Sequence, residues 1–284
     1  MSSLENETPI DSEVSKKNVT VQQTEFAERI MILRNFILTL PSILYHGTKS
    51  LIQKFKSNNK NDIIFNEVNT ENLILLVHGY HGHPCNFTPL INNLVEIDPK
   101  INDVWNIRAV NLNQFDNYDN NTVENEAQLI QNYLELTEFS NVILIGLSKG
   151  GLVCAKIYAN TNLNVKKLIT ISSPLVGTRA CDLFLPKILD CINGNLDTVR
   201  KDLGYKSSVS CNTLNALMES NDCDKNNIYH IVPQYDHLIF PSSTAMYDFV
   251  KEENIMRYNN VNYSHIGMPF NKEIAVSINK WINN

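Results

Sequence analysis

The chain predicts a single α/β domain built on a mostly parallel sheet with helices on both faces. Three observations carry this. Its 284 residues are 43% hydrophobic, enough for one well-filled core. Apolar runs of strand length alternate with stretches of helical periodicity from Leu73 onward, the order that gives a covered parallel sheet. At the centre, Asn141 to Tyr158 reads NVILIGLSKGGLVCAKIY, a buried strand that enters a glycine-rich turn and leaves as a helix.

The elements follow in order. Met1 to Gln23 is polar and lacks periodicity, with no basic start and no apolar centre, so 1–23 is expected to be a disordered tail and not a secretory signal. The segment 24–62 is amphipathic. Phe26, Ile30, Leu33, Ile37 and Leu40 fall at helical spacing, a second short stretch follows from Leu44 to Phe55, and Ser57 to Asp62 (SNNKND) is the linker. The run Ile30 to Tyr45 is short of the roughly 20 residues a spanning helix needs, and it holds Arg34 and Pro41. Two readings stand for this segment: a helix packed on the domain, or an interfacial helix in peripheral membrane contact through 26–55.

The domain proper is 63–284. Leu73–Val77 is a strand, Phe87–Ile97 a helix ended by Pro99, and Val104–Leu112 a strand. Thr122 opens a helix to about Glu138, with Glu124 and Glu126 near its positive end. Strands are expected at Leu168–Ser172, Ile228–Val232 and Asn254–Tyr258, and a last helix at Lys272–Ile282.

The mild negative balance, net charge −6, argues against a nucleic-acid partner, which needs clustered Lys and Arg. The six cysteines form no C-x-x-C pair, which suits a reduced, intracellular protein; Cys191, Cys211 and Cys223 could pair if the chain were exported. His78, His81 and His83 lie together, but no acid at ligand spacing accompanies them. They are read as shaping a turn, with no metal and no cofactor.

The turn Gly146-Leu147-Ser148-Lys149-Gly150 has the form Gly-x-Ser-x-Gly. A serine at so sharp a bend sits in strained backbone, and glycines beside it let strand and helix approach. The bend lifts the Ser148 hydroxyl to the top of the sheet and aims the Lys149 amide at the same space. The plainer reading is a serine that caps the following helix.

With its strand before and helix after, this stretch resembles the nucleophile elbow of the α/β-hydrolase superfamily, lipase- and esterase-like serine hydrolases. The resemblance implies the α/β-hydrolase fold, with Ser148 as nucleophile. His78-Gly79-Tyr80 after a strand resembles the family's oxyanion loop and implies the Tyr80 amide as partner to that of Lys149. Ser173-Pro174-Leu175-Val176-Gly177-Thr178 resembles a lipase loop, although Leu175 stands where the family usually has histidine. The interval 174–227 is where the family commonly holds a cap or lid.

By the same resemblance Asp236, just past a strand end, is the triad acid, and His265, in the loop after the last strand, is the general base. Asp222, Asp224 and Asp248 are poorer choices because none directly follows a buried strand. His230 is read as a core residue and His237 as a neighbour of the acid. The order Ser148, Asp236, His265 is the one associated with this fold. The expected function is hydrolysis of a small-molecule, lipid-like carboxylic ester through an acyl-enzyme. The alternatives are an acyltransferase or thioesterase using the same triad, or a non-catalytic binding domain.

Overall fold

The apolar runs pair into one seven-stranded sheet. Its strands are β1 (Ile63–Asn66), β2 (Asn72–Val77), β3 (Asn106–Val110), β4 (Asn141–Leu147), β5 (Val165–Ile171), β6 (Ile228–Pro233) and β7 (Ile255–Tyr258). They lie in the order β1-β3-β2-β4-β5-β6-β7. Only the edge strand β1 runs antiparallel, against β3. The computed structural model describes residues 9–57, 62–112, 122–159, 163–183, 201–220 and 223–284, of which 9–23, 53–57 and 182–183 by backbone alone. Residues 1–8 of the expected tail, 58–61 of the linker, 184–200 of the cap interval with Cys191, and Asp222 lie outside the described residues.

Each central strand is buried on both faces because its side chains alternate between two cores. Leu73, Leu75, Val77 and Leu144 face one layer, which contains α4 (Val123–Glu135) and α5 (Lys149–Tyr158). Ile74, Leu76, Ile143 and Ile145 face the other, with α2 (Thr88–Ile97) and the C-terminal helix Lys272–Asn283. Local signals set the helix starts. Thr122 Oγ1 accepts from the Asn125 amide at 3.1 Å, Ser207 opens Ser208–Glu219 inside the cap interval, and Asn271 opens the last helix.

Strand order reverses between β2 and β4, so the loops leaving their C-terminal ends diverge there and open a crevice. Three boundaries depart from expectation. β1 was not foreseen. α3 (Ile101–Val104) is a helical turn, where the sequence expects Val104 to start β3. The first helix, α1 (Pro9–Ser57), is continuous through Pro41 and begins inside the stretch expected to be a tail.

α1 packs on the domain, but most of its apolar residues face outward: Phe26 is 67% exposed and Ile37 60%. The face turned inward is Ile32, Asn35, Thr39, Ser42 and His46, all buried and mostly polar. These residues find partners in the loops past β6 and β7. Asn35 Nδ2 donates to the Asp236 carbonyl at 3.2 Å, Thr39 Oγ1 lies 3.3 Å from His237 Nδ1, and the Ser264 amide donates to Ser42 Oγ at 2.8 Å. His46 packs so closely over Gly267 that a β-carbon there would sit 2.7 Å from its ring.

Candidate active site

At the end of β4 the chain turns through Ser148, whose φ of 56° lies in the left-handed region. Two glycines make the turn sterically possible. A β-carbon on Gly146 would meet the Gly151 α-carbon at 2.4 Å, and one on Gly150 would meet the Val77 carbonyl at 2.1 Å. Ser148 occupies the capping position of α5, yet its side chain makes no capping hydrogen bond. The hydroxyl is therefore not spent on the helix, unlike the plainer reading of the sequence.

The loop after β2 lies against this serine. A β-carbon on Gly79 would come 2.7 Å from the Ser148 β-carbon and 3.2 Å from its Oγ. His78 fixes the loop. Its Nε2 accepts from the Leu112 amide at 3.1 Å, so Nδ1 carries the proton and donates to the Gly79 carbonyl at 2.9 Å. His83 Nδ1 accepts from the Cys85 amide at the start of the turn Pro84–Phe87. Both histidines thus shape the loop. Tyr80 follows Gly79 and lines the same cavity as Ser148.

Asp236 and His265 meet across the loops past β6 and β7, with His265 Nδ1 2.7 Å from Asp236 Oδ2. Four donors converge on the Asp236 carboxylate. The amides of Leu238 (2.7 Å) and Ile239 (3.1 Å) reach Oδ1, and the Ser172 hydroxyl and His265 reach Oδ2. Burial alone would raise this carboxyl. The charge and hydrogen bond of His265, the nearby His237 and the Ser172 bond outweigh it and hold Asp236 below the usual carboxylate range. An ionised Asp236 accepts the Nδ1 proton of His265, which leaves Nε2 as the basic nitrogen.

Ser172 is the residue that sequence reasoning missed here. It sits at the end of β5 with φ 48°, donates to Asp236 and lies 2.9 Å from His265 Nδ1. The available signal was positional: Ser172 ends β5 much as Ser148 ends β4. His230 is in the core as expected, 2.8 Å from Thr170 Oγ1, and burial takes it down to about 3. His237 borders the acid. Burial lowers it to about 4 against the pull of Asp236.

The Lys149 side chain turns away from the cavity. Its Nζ lies 2.8 Å from Glu126 Oε1 of α4, both groups almost fully buried. Burial lifts Glu126 to about 7 in spite of this partner. The pair ties the residue after Ser148 to the neighbouring helix, and losing one member would leave a buried charge alone.

Ser148 and His265 line one cavity of about 370 Å³, walled by Leu147, Leu238 and Ile239 among others, with Ser50 of α1 at its edge. That volume and lining suit an apolar ligand with few polar contacts.

A mostly parallel sheet with this elbow at its switch point is the α/β-hydrolase fold, and solved structures agree. The chain matches an α/β hydrolase from the metagenome of sediments of the lagoon of Mar Chica, Morocco, at TM-score 0.54 and 17% identity, over 78% of this chain and 94% of that one. It matches the monoacylglycerol lipase of Paleococcus ferrophilus at TM-score 0.52 and 18% identity, over 78% and 97%. It matches the mature lipase BlEst2 of Bacillus licheniformis at TM-score 0.54 and 13% identity, over 74% and 94%. No curated protein matches the sequence. Residues 73–218, just over half of the chain, match the model of the palmitoyl protein thioesterase family, and the chain belongs to that family. The matched stretch holds Tyr80 and Ser148 and ends before Asp236 and His265.

Proposed function

We propose that the chain hydrolyses fatty-acyl thioesters or esters through a Ser148-His265-Asp236 triad. The observation that carries this is the hydrogen-bonded Asp236–His265 pair on the same cavity as an uncapped Ser148. Ser148 Oγ attacks the acyl carbonyl carbon while its proton passes to His265 Nε2. The oxyanion that forms is held by the amides of Tyr80 and Lys149, a donor pair of which each member is typically worth about 3 kcal/mol. The imidazolium, steadied by Asp236, returns its proton to the departing sulfur or oxygen. Water, deprotonated by the same nitrogen, then releases the fatty acid from Ser148.

Membership of the thioesterase family favours a thioester over an oxyester as the substrate, and the apolar cavity favours a long acyl chain. The first test is labelling with a fluorophosphonate probe. Wild type should label, and Ser148→Ala and His265→Ala should not. Labelling of Ser148→Ala would place the nucleophile elsewhere. Palmitoyl-coenzyme A and p-nitrophenyl palmitate, compared by kcat/KM, then separate thioesterase from esterase.

A further inference from the structure

An ordinary surface helix hides its apolar stripe, and α1 does the reverse. Ile32, Asn35, Thr39, Ser42 and His46 turn inward at alternating steps of three and four residues. On the opposite side Phe26, Ile30, Leu33, Ile37, Leu40 and Leu44 follow the same spacing and are exposed. Met31, Leu38, Tyr45 and Ile52 are exposed as well and widen that face to about half the circumference. From Arg29 to Ser57 the helix holds five basic residues, Arg29, Arg34, Lys49, Lys54 and Lys56, and no acidic one, although the whole chain is net negative.

We propose that this outer face of α1 docks on an anionic lipid bilayer, lying in the headgroup plane. Glu25 and Glu28 lie at the start of the face, and from Arg29 onward exposed apolar area is joined to positive charge alone, the chemistry that such a surface recognises. A second copy of the helix fits less well. A coiled-coil seam is narrower than this face. Crossing the bilayer also fits less well. Within the segment Thr24–Ile52 an 18-residue window reaches a mean hydropathy of 1.2, long and apolar enough to cross. Crossing would carry Asn35, Thr39, Ser42 and the loops they hold into hydrocarbon, where polar groups are costly. Lying in the interface satisfies both faces at once. Docking does not depend on the catalytic reading. Because Ser50 of α1 lines the cavity, it sets the cavity beside the bilayer, where acyl chains reside.

The test is sedimentation of the full chain with vesicles of phosphatidylcholine alone and mixed with phosphatidylserine. Wild type should sediment with the mixed vesicles, and less so as salt rises. Ile37→Asp with Leu44→Asp should lower the bound fraction by about tenfold or more while leaving the melting temperature unchanged. Arg29→Gln with Arg34→Gln, which spares the apolar face, should lower binding to the mixed vesicles by about tenfold and leave binding to phosphatidylcholine unchanged. Sedimentation of wild type with neither vesicle, or equal sedimentation of all three proteins, would overturn the proposal. A dimer in light scattering that Ile37→Asp with Leu44→Asp turns into monomer would overturn it too, by assigning the face to a second copy. Fluorophosphonate labelling reads the catalytic proposal separately, so either can fail alone.

Discussion

At the scale of single residues the site depends on how many donors one carboxylate receives. Asp236 must stay ionised although it is fully buried, and the Ser172 hydroxyl is one of four donors that keep it so. Ser172→Ala removes that donor without changing the demand on the backbone, since alanine and serine are equally disfavoured at φ 48°. The expected result is a fall in kcat of about tenfold with KM unchanged, the size of one charge-assisted hydrogen bond. Steady-state kinetics on a soluble short-chain ester would decide it. An unchanged kcat would make Ser172 a bystander. This residue also marks how far the sequence could be read. Ser148 was legible because a bend in strained backbone needs small neighbours, and glycine is visible in a sequence. Ser172 makes an equally unusual turn with Ile171 on one side and Ser173 on the other, so nothing in the letters distinguishes it.

At the scale of elements the central strands were legible and the outer ones less so. A parallel strand buried on both faces reads as an unbroken apolar run, as β2 and β4 do. The edge strand β1 is only half-buried and four residues long, too short to show a period. In α1 the periodicity was legible but its sense was not. Helical spacing says that one face is apolar, and only the neighbours decide which face turns in. Here the neighbours are the backbones of the loops carrying Asp236 and His265, which need hydrogen bonds that an apolar face cannot supply. Ser42→Ala tests this directly. It leaves the buried Ser264 amide, next to His265, without its acceptor. Melting should show a loss of about 1–3 kcal/mol, the usual cost of such a group, and kcat should fall with it. Unaltered stability and kcat would mean that α1 merely covers these loops.

At the scale of the whole molecule the buried histidines set the response to acid. Burial lowers His46 from its usual value, His230 to about 3 and His237 to about 4. In the unfolded chain each titrates near 6.5. Between about pH 6.5 and 4 the unfolded state therefore binds more protons than the folded one, and stability falls as pH falls. Glu126 works in the opposite direction. Its folded value of about 7 lies above its unfolded one, so the folded state takes up its proton first and gains stability on acidification down to about 4.5. Burial also raises Asp202, so three lowered histidines stand against two raised carboxyls, which gives a gentle net loss from pH 6.5 to 4.5. Below 4.5 the Glu126 contribution stops growing, His230 and His237 continue to titrate, and Asp236, held low, begins to lose its own contribution. The melting temperature should therefore decline slowly from pH 7 to about 4.5 and steeply below. His237→Gln removes one of the three and should make the decline from pH 6.5 to 4.5 shallower by up to one proton's worth, about 1.4 kcal/mol per pH unit. A melting temperature that rises on acidification through this range would show Glu126 outweighing the histidines and would refute the assignment.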